Sequence, residues 1–221
     1  MKFSIPITCD DCGKFLVDVN GAQFPKEAQC PNCSKTIWLI EPLGNIAGMA
    51  IMYRAATELA SADSTMTIVL AAMAVESQLA YLFMKWNRVD LTGQRNPTDA
   101  DEEEWEESWR DIRSVAARFD RVSSRLTGKS FDSFLSANGD LLKSVRTQYQ
   151  SSGEASAKDF FVKGLFHKRN RIVHFGKIDF QQSEAELCFA LATALWHILV
   201  AMDADCYRGL QSKLSCFNDW F

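Results

Sequence analysis

Hydrophobic and polar positions change rhythm once along the chain. Up to about residue 42, apolar residues come in short alternating stretches, Phe3 to Thr8, Phe15 to Asn20 and Thr36 to Ile40, the period-two pattern of half-buried strands. From Pro42 onward the period lengthens to that of helices with one apolar face. The pattern predicts a helix over 45–62 and a second, capped by Ser64 or Thr65, running to Trp86. A polar break follows over 87–98, with Gly93 and Pro97 as breakers, and then helices over 99–126 and 130–149. Ser156 and Asp159 form a capping box for a helix over 157–174, and Ser183 and Glu186 form one for a last helix from Glu184 to Arg208. The expected fold is therefore mainly α: a bundle of five to six helices over 43–221, preceded by a small β unit over 1–42.

Two apolar runs are long enough to raise the question of a membrane. Met66 to Met84 has a single charge, Glu76, and Leu187 to Met202 is mostly apolar. A carboxylate at the centre of a span costs about 2.5–3.5 kcal/mol, so both runs are read as buried core helices, with no membrane partner. Of the 221 residues, 47% are hydrophobic and 24% charged, which excludes a disordered or low-complexity chain. The formal charge of -4 excludes a polycation that coats nucleic acid by charge alone, so any such contact must be local. Met1 to Pro6 lacks the pattern of a secretory leader, and a cytoplasmic protein is expected.

Four of the seven cysteines form two Cys-x2-Cys pairs, Cys9/Cys12 and Cys30/Cys33, separated by 17 residues. Two residues between thiolates let a tight turn aim both sulfurs at one ion, and two such turns complete a tetrahedron. The expectation is a structural Zn2+ in a zinc ribbon. Cys188, Cys206 and Cys216 lie elsewhere and read as buried or free thiols. The ribbon segment has a net charge of -1 before its thiolates are counted, which favours a stabilising cap or a protein-docking module over a phosphate-binding one.

Charge is also uneven within the helical part. Asp99 to Glu107 holds seven carboxylates, suited to a solvated helix start, while Trp105 and Trp109, four apart, are expected to pack inward. Phe161 to Lys177 holds Lys163, Lys168, Arg169, Arg171 and Lys177 with no acid, and two of only three histidines. His167, Asn170, Arg171 and His174, spaced at three, four and seven, share a helix face, whereas Arg169 lies nearly opposite His174. Glu76 needs a partner if buried, and Arg169, Arg171 or His174 is the natural one. His197, set among Leu195, Trp196, Ile198 and Leu199, reads as a core histidine.

Arg169-Asn170-Arg171-Ile172-Val173-His174 resembles the Arg-Asn-x3-His form of the motif of the HEPN family (higher eukaryotes and prokaryotes nucleotide-binding). The surroundings are similar too: an early apolar helix with one embedded glutamate, Glu76, and Phe175-Gly176 after the motif, followed by a long terminal helix. The likeness covers roughly residues 43 to 210. It implies a helical bundle that forms a homodimer, with two copies of the motif lining one cleft, and in many members a metal-independent endoribonuclease that needs no cofactor for catalysis. Carried onto this chain, it makes His174 the general acid or base, places Arg169 on the scissile phosphate and lets Asn170 orient the phosphate or the histidine. Glu76 and His167 would support the site, with Lys168, Arg171 and Lys177 as RNA contacts. By analogy the protein would be a toxin or antiviral defence effector, with a regulatory or antitoxin protein as partner. The alternative is a non-catalytic nucleotide- or RNA-binding adaptor that docks a partner through the ribbon.

Overall fold

The computed structural model describes residues 45–92 and 98–218 and, nearer the N-terminus, residues 33–34 and four strands. The chain divides into two compact units, Met1–Ile46 and Ala47–Phe221. In the first, β1 (Ile7–Thr8) pairs antiparallel with β2 (Phe15–Leu16), and β3 (Lys26–Gln29) with β4 (Thr36–Leu39). The pattern of the sequence points to the other three strands but not to β3. Its Lys-Glu-Ala-Gln lacks β-branched and aromatic residues, and it pairs opposite the Thr-Ile-Trp-Leu of β4.

The second unit is mainly helical, with α1 (Ile46–Ala60), α2 (Ser64–Thr92), α3 (Asp99–Asp111) and α4 (Val115–Thr127) followed by α5 (Phe131–Ala137). A 3-10 segment (Gly139–Val145) leads into α6 (Arg146–Ser152). Then α7 (Ala157–Phe161) continues through a π segment (Val162–Phe166) into α8 (His167–Phe175), and α9 (Gln182–Asn218) closes the chain.

Side chains set most boundaries, and several differ from those expected. Ala62 turns the chain with φ 62°, and Asp63 caps α2 by accepting from Met66 N–H at 2.9 Å, a role the sequence suggested for Ser64 or Thr65. Thr98 and Asp101 form a reciprocal capping box at α3. The single helix expected over 99–126 is broken, because Ser114 Oγ accepts from Ala117 N–H and starts α4 afresh. In an unbroken helix, Phe119, Val122 and Leu126 would project about 100° away from Trp105 and Trp109. The break lets both groups face inward, with Trp109 against Phe83 at a ring distance of 5.2 Å. The helix expected over 130–149 is also interrupted, at Asn138, whose Nδ2 donates to Phe134 O. Ser156 caps α7 as expected, accepting from Asp159 N–H. The last helix starts earlier than expected: Glu184, not Glu186, turns back, its carboxylate accepting from Gln181 N–H at 3.1 Å.

Two long apolar helices, α2 and α9, form the spine. Ser64 donates to Gln182 at one end and Lys85 pairs with Asp203 at the other, so α2 and α9 run parallel, in register across 22 residues of each. The far end is a buried polar knot in which Asp203 accepts from Trp86 Nε1 at 2.7 Å and from Lys85 Nζ at 2.9 Å. Around the spine, Phe119, Phe131, Phe161 and Phe166 interlock, Phe119 meeting Phe131 at 4.8 Å and Phe166 at 5.8 Å. By length and composition alone α2 and α9 could each cross a membrane, and about half of each apolar window lies inside the bundle. His197 is not a core residue: Leu195, Ile198 and Leu199 are buried, and His197 faces solvent between them.

Candidate functional site

The segment from Phe161 to Lys177 is positioned by an irregularity that the sequence does not announce. Val162–Phe166 forms a π turn, in which His167 N–H reaches back five residues to Val162 O. One extra residue per turn shifts the helical phase of everything after it, so the turn sets which side of α8 meets α2. It is anchored against α9, where Gly164 O accepts from Cys188 Sγ at 3.4 Å. Only glycine fits this contact without a shift, since a Cβ on Gly164 would lie 2.6 Å from Leu191 Cδ1. Burial pushes the Cys188 thiol up to about 11.

On α8, the face foreseen from spacing is the solvent face: His167, Arg171 and His174 are exposed, and Asn170 is half-buried beside them. Arg169 lies on a different flank. Its Nη2 donates to Glu76 Oε2 at 2.9 Å and its Nη1 to Asn170 Oδ1 at 2.9 Å. Both charged side chains are three-quarters buried, 24% and 22% exposed. Arg169 Nε is buried without a hydrogen-bond partner, so the fork is only partly satisfied in this pose. Glu76, Arg169 and Asn170 are thus joined within one chain. Arg169 and His174 are not linked by a hydrogen bond, and the π turn does not bring them together because it precedes both residues.

Three of the remaining four cations of the segment are matched by acids outside it, which a search for charge within the segment misses. Lys163 pairs with Glu154 at 2.5 Å, Lys168 with Glu184 at 3.0 Å and Lys177 with Asp179 at 3.6 Å. The Lys168 ammonium and the Gln181 N–H hold the Glu184 carboxyl below its ordinary range, and the Glu154 carboxylate raises Lys163. Arg171 alone among these cations has a side chain with neither an ion pair nor a hydrogen bond among the described residues.

The exposed end of α8 is also apolar. Val173, Phe175 and Ile178 are 53%, 81% and 73% exposed, and α8 ends at Gly176 with φ 63°. Thr65 Oγ1 donates to Ile178 O, so the motif segment runs antiparallel along α2.

Of the four expected zinc ligands, Cys9, Cys12 and Cys30 lie outside the described residues. Cys33 is half-buried at a turn, and Ser34 after it takes φ 58°. Among the described residues no group of three or more His, Cys, Asp or Glu could hold a metal ion. Comparison of the chain with protein-family models, curated proteins and solved structures finds no match.

Proposed function

We propose that the helical unit is an endoribonuclease of HEPN type that works as a homodimer and cleaves RNA without a catalytic metal. The observation that carries this reading is that Arg169 and Asn170, clustered with Glu76 of α2, lie on the same short helix as a solvent-facing His174. The guanidinium is held by hydrogen bonds on two of its nitrogens, and the imidazole is open to a ligand. Because the two groups are not joined within one chain, the reading requires a second copy across the exposed Val173, Phe175 and Ile178 surface.

RNA carries its own nucleophile. One His174 accepts the proton of the 2′-OH as the 2′-oxygen bonds to phosphorus, and the other His174 gives a proton to the 5′-oxygen as the P–O5′ bond breaks. The products are a 2′,3′-cyclic phosphate and a 5′-OH. Arg169, steered by Glu76 and Asn170, neutralises the charge that develops on the phosphate oxygens. A substrate with a single 2′-deoxynucleotide at the scissile position tests this step. Cleavage there should be lost while cutting elsewhere continues, and cleavage that persists at the deoxy position would exclude 2′-OH attack. A toxin or defence effector held in check by a regulatory protein fits such an activity.

A second reading, a non-catalytic nucleotide- or RNA-binding adaptor, is favoured by the ion pairs that occupy Lys163, Lys168 and Lys177. It predicts RNA binding that survives His174→Ala and yields no product.

For the N-terminal unit, a zinc ribbon is supported by its two hairpins. Thr8 pairs with Phe15 and Gln29 with Thr36, so each Cys-x2-Cys begins one residue after the closing pair of a six-residue loop. Ser34 takes a left-handed backbone one residue after Cys33, and the equivalent position of the other loop is Gly13. Cys9, Cys12, Cys30 and Cys33 would hold the ion, whose role would be structural.

A further inference from the structure

The motif helix leaves little unneutralised charge for a polyanion, yet a second cationic stretch, less engaged in ion pairs, lies elsewhere. Residues 110–129 carry six cationic side chains against two acids, in a chain of net charge -4. Arg118, Arg121 and Arg125, spaced at three and four, form one stripe along α4, away from the face that buries Phe119, Val122 and Leu126. Arg113 stands in the turn that precedes the helix.

The exposed acids Glu106, Glu107 and Asp111 belong to α3, whereas the stripe on α4 carries none. Asp120, the one carboxylate within α4, projects on the opposite flank and is bound to Lys158 at 2.5 Å. Arg113, Arg118 and Arg121 have no ion pair among the described residues. Arg118 is preorganised: its guanidinium stacks over Trp109 at 4.8 Å while its Nε donates to Ile112 O at 3.0 Å. Arg125 Nη2 reaches Trp86 O at 3.4 Å. The stripe is entirely arginine, whose planar fork binds phosphate oxygens in pairs.

We infer that the Arg113–Arg118–Arg121 surface of α4 and the turn before it binds the phosphodiester backbone of single-stranded RNA and supplies the affinity that the ion-paired motif segment does not. This rests on the reading of the protein as RNA-directed. It assigns binding to a surface separate from the residues of the proposed chemistry.

The test uses the full chain and a fluorescein-labelled 2′-O-methyl oligouridine, which binds but has no free 2′-OH to attack. Arg113→Gln/Arg121→Gln should weaken binding about tenfold and lower the slope of log affinity against log salt by about 1.4, since each phosphate contact on a single strand contributes about 0.7. Lys143→Gln/Arg146→Gln removes the same formal charge elsewhere and should change neither value appreciably, and Arg113→Lys/Arg121→Lys should restore most of the slope. Unchanged binding in the stripe variant, or an equal loss in the control, would overturn the inference. So would loss of binding to a polyglutamate peptide alone, which would mark the surface as a site for an acidic protein. Cleavage of unmodified RNA is scored separately. Cutting with an inert stripe sinks the inference but leaves the nuclease reading standing, and a binding loss in a protein that never cuts does the reverse.

Discussion

Arg169 of α8 and Glu76 of α2 form an ion pair at 2.9 Å that ties the motif helix to the spine of the bundle. Both groups are mostly shielded from water, so removing one leaves the other partly desolvated without its counter-charge. Glu76→Ala should lower the free energy of unfolding by about 1–2 kcal/mol, a value reduced from that of a fully buried pair because both side chains keep some exposure. Urea denaturation measures it. A midpoint equal to that of wild type would show that the pair contributes nothing to stability.

The same pair positions the guanidinium. Glu76→Gln keeps a hydrogen-bond acceptor but removes the charge, so it should lower the rate of RNA cleavage far more than it lowers stability. Single-turnover kinetics beside a thermal melt would separate the two effects. A rate that falls only in proportion to the folded fraction would make Glu76 a purely structural residue.

Phe175 and Ile178 expose apolar surface next to His174. Phe175→Glu/Ile178→Glu should shift the protein to monomer in sedimentation equilibrium and abolish cleavage, with helical circular dichroism unchanged. A variant that stays dimeric, or that cuts as a monomer, would contradict the composite site.

Cys188 gives a pH signature. Its thiol is raised to about 11 in the folded state from an ordinary value of 9.0, so it stabilises the fold below pH 9 and that stability is lost as pH rises toward 11. The loss should be about 2–3 kcal/mol across this window, and Cys188→Ala should flatten it. Glu184, lowered by Lys168, acts at the other extreme: its contribution is present above about pH 4.5 and fades as pH falls through the lowered value. Urea midpoints at several pH values test both limbs, and an identical alkaline slope in Cys188→Ala would exclude the thiol as its source.

Much of the bundle is legible in the sequence because its signals are local. The apolar runs that become α2 and α9, the Ser156 cap and the inward pair Trp105 and Trp109 need only periodicity and capping chemistry. Tertiary packing decides the rest. The break at Ser114 exists so that two apolar faces about 100° apart can both turn inward, and nothing in the helix propensity of 99–126 signals it. The π turn packs Gly164 against Leu191, a contact between residues 27 apart in sequence. His197 sits within an apolar run yet faces solvent, because α9 buries only part of its circumference at that level. Among the site residues, spacing foresees the shared face of His167, Asn170, Arg171 and His174, but not that it is turned to solvent. It does not foresee the acids that occupy Lys163, Lys168 and Lys177, which come from other segments of the chain.

Zinc content tests the N-terminal unit on its own. Metal analysis should return about one zinc per chain, and Cys30→Ser should lower that content and make residues 1–42 more susceptible to proteolysis while the helical unit melts unchanged. A metal-free protein with a protease-resistant N-terminal unit would refute the ribbon.

The central claim meets its most direct test in RNA incubated with the purified protein in excess EDTA, followed by end-group analysis of the fragments. The account predicts fragments ending in 2′,3′-cyclic phosphate and 5′-OH from wild type, and none from a His174→Ala variant that melts at the same temperature. Intact RNA with wild type, or fragments made equally fast by His174→Ala, would contradict it.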